Sequence, residues 1–210
     1  MPKVGPFEEH TERYERWFED NEDAYRSELA ALERLVPTTG YGIEIGVGSA
    51  RFAAPLGMQV GIDPSGEMLA YARARGIEVV EGVAEFLPFR DGTFDTALIV
   101  TTICFVDDVP ETLAEAARVL DSDGALVIGY IDRDSPVGRV YQEKKDRNPF
   151  YREAVFVSTE ELVDALEVAG FTDFEFVQTI YHWPGEIDGP EPVESGYGDG
   201  SFVGIKATRG

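Results

Sequence analysis

The sequence contains one cysteine, Cys104, so it can form neither an internal disulfide nor a cysteine metal cluster. Its two histidines, His10 and His182, lie too far apart in sequence to be read as a metal pair, and no metal is expected. Basic residues are scarce. There are 18 Lys and Arg against 40 Asp and Glu, a net charge of −22. Nucleic acid and anionic membranes bind through Lys and Arg, so neither is expected as a partner. A field of this sign favours solubility and draws cationic small molecules. The first ten residues hold no apolar signal core. The longest apolar run, Thr96 to Val106, is too short to cross a bilayer. A soluble, cytoplasmic chain is expected, with its oligomeric state left open.

What is present suits a globular core: 43% of the 210 residues are hydrophobic. A chain of this size buries roughly 70% of the surface its unfolded form exposes. Residues 7–36 carry ten acids and four bases, with Tyr14, Trp17, Phe18, Tyr25, Leu29, Leu32 and Leu35 at helical spacings. Asn21 and Asp23 divide this into two helices, the second ending before Pro37.

From Tyr41 the pattern changes to short apolar runs at 41–46, 59–63, 77–81, 94–101 and 125–131. The stretches Arg51–Leu56, Gly66–Arg75 and Pro110–Leu120 between them read as helices. Near-continuous apolar strands alternating with helices imply a doubly wound parallel sheet. Residues 132–157 are polar and aromatic. A helix then starts at Ser158-Thr159-Glu160-Glu161 and stops at Gly170. Strand patterns at 171–182 and 201–208 follow without a helix between them and predict an antiparallel pair at the sheet edge.

Three segments carry chemistry. Gly42 to Phe52 runs a strand into the turn Gly46-Val47-Gly48, where glycine lets backbone approach a ligand. Glu44 lies in that strand and needs a partner: either backbone amides of the next loop or a cationic ligand group. Asp63 ends the second strand, where doubly wound folds use an acid for ribose hydroxyls. Ser65 stands as the nearer helix cap. The loop from Glu81 to Asp95 follows the third strand, at the sheet edge where such folds bind ligands.

In this order the segments resemble the class I S-adenosylmethionine-dependent methyltransferases, in the type 11-like branch of small-molecule enzymes. Glu44, Gly46 and Gly48 match the family's acid-and-glycine motif, with Ala50 in place of a third glycine. Asp63 matches its ribose-binding acid. Gly82 to Phe89 matches its Gly-Asp-Ala-x-x-Leu-Pro-Phe loop, with Val83 in place of the Asp that meets the adenine amino group. Phe94-Asp95, Arg118-Val119-Leu120 and Asp123-Gly124 continue the match.

The resemblance implies a seven-stranded, Rossmann-like α/β sheet, mostly parallel with an antiparallel edge pair, under an N-terminal helical cap. As one domain it would comprise the cap (1–37), the cofactor core (38–131), a substrate-side insertion (132–157) and a C-terminal helix with two strands (158–210). The implied cofactor is S-adenosyl-L-methionine and the implied partner a small-molecule methyl acceptor. Glu44 would meet the methionine ammonium, and Gly46, Val47 and Gly48 would pass beneath the methionine. Asp63 would hold the ribose, while Pro64, Met68, Ala84 and Glu85 would surround the adenine. Tyr14 and Thr101 would complete the cofactor site. Trp17, Phe18, Ile103 and Phe105 would face the acceptor. No residue is singled out as catalytic, because an aligned sulfonium methyl needs orientation more than acid or base.

Asn148-Pro149-Phe150-Tyr151 and Cys104 are read as chance likenesses to nucleic-acid methyltransferase motifs, the latter as a small core side chain. Lys144, Lys145 and Arg147 are read as a solvated helix face. Two rivals to methyl transfer remain: a cofactor-binding protein without transferase activity, and a nicotinamide oxidoreductase. Arg51 at the third glycine site of the dinucleotide fingerprint disfavours the latter.

Overall fold

A computed structural model describes residues 3–210. Met1 and Pro2, the start of the expected cap, lie outside the described residues. The N-terminal stretch forms α1 (Gly5–Glu9), α2 (Thr11–Asp20) and α3 (Glu22–Glu33). The break at Asn21 falls where expected, and a further break at His10 separates α1. Both residues leave helical geometry, with φ of −129° and −127°.

The sheet contains β1 (Gly42–Ile45), β2 (Val60–Asp63), β3 (Glu78–Glu81), β4 (Phe94–Val100), β5 (Leu120–Ile131), β6 (Phe171–Thr179), β7 (Glu194–Ser195) and β8 (Phe202–Arg209). Its order is β3-β2-β1-β4-β5-β8-β6-β7. The first five strands run parallel, and β8 inserts antiparallel between β5 and β6. The strand order reverses at β1, so the loops after β1 and β4 diverge and open a crevice. The strand count is eight rather than the expected seven. The addition is β7, two residues that pair with Val177 and Gln178 in a stretch too short for any periodicity.

The helices after the strands are α4 (Gly66–Ala74), α5 (Val109–Val119), α6 (Pro136–Lys144) and α7 (Thr159–Val168). Ser65 caps α4 by accepting from the Met68 N–H, and Ser158 with Glu161 forms a capping box on α7. The expected helix at Arg51–Leu56 is instead a run of turns. Ala50 and Gly57, at φ of +63° and +74°, break helical geometry at its ends. Pro55 inside it has no N–H to donate.

One sheet face packs Ile43, Ile45, Ile99 and Ile128 against α5 and α7. The other packs Leu98, Val127 and Phe202 against α3 and the turns after β1. Each such fully buried side chain contributes about 1.5–3 kcal/mol. Arg51 and Arg75 both pair with the buried Glu15, at 2.6 and 2.5 Å, and fasten α2 over the carboxyl edge of the sheet.

Candidate functional site

The carboxyl ends of β1 to β4 open into a cavity of about 610 Å³, roofed by α1 to α3. At its floor the Gly46 and Val47 N–H groups donate to the Ile62 carbonyl, which curls the chain back after β1. Gly46 has φ +75°, and a Cβ there would stand 2.2 Å from Thr102 Cγ2. Glycine is therefore required on two counts, conformation and space. Thr102 Oγ1 donates to the Gly46 carbonyl at 3.1 Å and holds the turn against β4. Beside it, Asp63 Oδ2 accepts from the Gly48 N–H and Oδ1 from the Ser65 N–H, both at 2.9 Å. Burial raises the Asp63 pKa, while these two amides oppose the shift.

Gly46, Gly48 and Asp63 line the cavity, and so do Pro64, Met68, Ala84, Glu85 and Thr101. Thr101 has φ +49°, a strained conformation for a β-branched residue. Val83 also lines the wall. Glu85 Oε1 accepts from the backbone N–H groups of Asp107 and Asp108, which ties the loop after β3 to the loop after β4. Tyr14, Trp17, Phe18 and Phe105 form part of the opposite wall.

Three expected site residues are not on the wall. Glu44 is 2% exposed and lies behind the glycine turn. Along β1, Ile43 and Ile45 face one layer, so Glu44 faces the other. The Ala53 N–H lies beside its carboxylate, and among the described residues Oε2 has no hydrogen-bond partner. Burial holds its carboxyl well above the usual range, with the Asp63 charge adding to the shift. Val47 turns into the core against Gly61, and only its backbone belongs to the turn. Ile103 is 1% exposed and packs beneath the site.

Several lining residues were not singled out from the sequence. Asn148, Phe150 and Tyr151, set aside as a chance likeness, line the cavity, and Phe150 packs against Phe7 and Tyr14. Tyr141 on α6 stacks on Tyr151 at 4.7 Å and meets Trp183 edge-on at 5.7 Å. Glu28 on α3 also faces the cavity. The aromatic richness of 132–157 was a usable signal, whereas nothing marked Glu28 among the other acids of its helix. Cys104 is a buried neighbour of Ala154 and Phe156, and burial pushes its thiol up to about 12. It is no nucleophile at neutral pH. Among the described residues no group of acids, histidines or cysteine could hold a metal ion, and no helix is long and apolar enough to cross a membrane.

The profile of the family described as "Methyltransferase domain" matches residues 43–128. A Thermotoga maritima crystal structure, described as an S-adenosylmethionine-dependent methyltransferase and possible histamine N-methyltransferase, superposes with a TM-score of 0.96. It is 48% identical over 99% of this chain and 100% of that one. An uncharacterized protein of Methanocaldococcus jannaschii is 43% identical over 97% of this chain and 98% of its own length. The uncharacterized methyltransferase YcgJ of Bacillus subtilis is 30% identical over 68% of this chain and 60% of its own. The site suits the family's cofactor: the turn bars any side chain at Gly46, and a strand-end carboxylate stands beside it on the cavity wall. The chain belongs to the S-adenosylmethionine-dependent methyltransferases, and S-adenosyl-L-methionine is its cofactor.

Proposed function

We propose that this chain transfers the cofactor's methyl group to a small-molecule acceptor by in-line displacement. One observation carries the reading. A single cavity joins the glycine turn and Asp63 to an aromatic chamber formed by Trp17, Phe18, Tyr141, Tyr151 and Trp183. Its volume falls within the roughly 300–1,000 Å³ of small-molecule sites. When bound, the cofactor supplies a methyl group on a positively charged sulfur. The Asp63 carboxylate accepts from the ribose hydroxyls, and the Gly46 to Gly48 backbone passes under the methionine part. Pro64, Met68, Ala84 and Glu85 bound the adenine, while Tyr14 and Thr101 border the methionine tail. Trp17, Phe18 and Phe105 shape the acceptor chamber, and Ile103 supports it from below. Orientation and exclusion of water supply most of the rate, which suits a site without an evident acid–base dyad.

The cap (1–37) and insertion (132–157) serve the acceptor within a single domain, and the protein works in the cytoplasm. The Thermotoga relative is named for a small acceptor, histamine, which supports the same class. Incubation with methyl-labelled S-adenosylmethionine and a broad panel of small acceptors tests this. Label should appear in a low-mass product with stoichiometric S-adenosylhomocysteine. Cofactor binding without turnover across the panel would favour a binding protein instead.

A further inference from the structure

Apart from tyrosines, the cavity is lined by six acidic and basic side chains among the described residues, and five of them are engaged. Asp63 accepts from two backbone amides, and Glu85 does the same. Lys3 donates to the Val106 carbonyl and lies 4.0 Å from Asp107. Arg13 stands over the Phe150 ring at 5.7 Å.

The sixth is Glu28. It is 5% exposed, and no described residue hydrogen-bonds or ion-pairs with it. Its surroundings are aromatic. Tyr14, Tyr25, Tyr141 and Tyr151 all lie close enough to feel its charge. A strap is fastened to the same helix beside it. The Glu191 N–H donates to Ser27 Oγ at 2.8 Å and the Gly189 N–H to Asp23 Oδ2 at 3.0 Å, which fastens residues 183–193 onto α3. That strap brings Trp183, Pro184 and Gly185 to the cavity wall. Lys144, the neighbouring cation, is occupied over the Trp183 ring at 5.3 Å.

A buried carboxylate with no partner costs free energy that glutamine or leucine would avoid. A cation entering the chamber would remove that cost, meeting the carboxylate on one side and aromatic faces on the others. The net charge of −22 draws such a ligand inward. We propose that the acceptor carries a cationic nitrogen and that this group sits against Glu28 inside the aromatic chamber. Burial pushes the Glu28 pKa up to about 8, so the empty site holds it largely protonated at neutral pH and a bound cation favours its ionised form. Calling the ligand an acceptor rests on the methyl-transfer reading; the cation site itself does not. Glu28 is then the residue that sets acceptor specificity.

Titration calorimetry on the protein saturated with S-adenosylhomocysteine tests this. The probes are phenethylamine, tyramine and phenethyltrimethylammonium, against neutral 2-phenylethanol and anionic phenylacetate. The best amine should bind at least tenfold more tightly than 2-phenylethanol, and phenylacetate most weakly. Glu28→Gln should abolish the amine's advantage while leaving S-adenosylhomocysteine affinity unchanged. A wild-type protein that ranks the alcohol or the acid with or above every amine overturns the proposal, as does an amine advantage that survives in folded Glu28→Gln. If that variant does not fold, the wild-type ranking decides alone. If S-adenosylhomocysteine does not bind, the methyl-transfer reading fails separately, and the same titrations on the free chain still decide the cation site.

Discussion

The two halves of the cavity are built on opposite plans. The half around Gly46, Gly48 and Asp63 is made of strand ends, and its carboxylate is already bonded to backbone amides. The half around Glu28 is assembled from α2, α3, α6, the 148–151 segment and the strap, and its carboxylate has no partner among the described residues. Preformed hydrogen bonds hold the first half in place, as a site for one invariant cofactor requires. The second half is held by aromatic packing, together with the Glu15 ion pairs on α2 and the hydrogen bonds of the strap to α3. Its charged group is left to be satisfied by the ligand.

Substitutions that touch one half and not the other sharpen this contrast. The largest effect should come from Gly46→Val. Left-handed strain and overpacking against Thr102 each cost about 1–3 kcal/mol, and S-adenosylhomocysteine binding should vanish in calorimetry.

The next effect belongs to Glu28. Its pKa is raised in the folded protein, so the folded state binds more protons than the unfolded one between about pH 4.5 and pH 8. Stability therefore falls as pH rises through that window, by about 1.4 kcal/mol per unit from this group. Tyr14, Tyr25, Tyr141 and Tyr151 face it and stay neutral throughout. Denaturation of Glu28→Gln at pH 5 and pH 8 should show a flatter slope than the wild type, and an identical slope would place Glu28 in water.

Asp63→Ala should weaken cofactor binding by about 1.5–3 kcal/mol, more than tenfold, with amine binding little changed. The smallest effect should be Thr101→Gly. Removing a β-branched side chain from φ +49° should return about 1 kcal/mol and raise the melting temperature by a few degrees.

The same contrast explains what the sequence reveals. Gly46, Gly48 and Asp63 sit at the ends of adjacent strands, where a periodic pattern and two glycines expose them to inspection. The five parallel strands were legible for the same reason. The run of turns at 51–56 was not, because the left-handed turn at Ala50 has no signature in an alanine. β7 is two residues held by long-range pairing with β6, which no local pattern records. Glu28 and Trp183 lie far apart in sequence and come to one cavity wall only through the strap, so no local pattern links them. Glu44 was legible as an oddity, a carboxylate inside a buried strand, and the structure buries it behind the glycine turn.

A crystal structure with S-adenosylhomocysteine bound tests the division of the cavity most directly. The account predicts ribose hydroxyls on the Asp63 carboxylate, the homocysteine above the Gly46 to Gly48 turn, and the sulfur directed at the chamber of Trp17, Tyr141, Tyr151 and Glu28. A nucleoside lodged among those aromatic residues, or bound outside the cavity with Asp63 untouched, would contradict it.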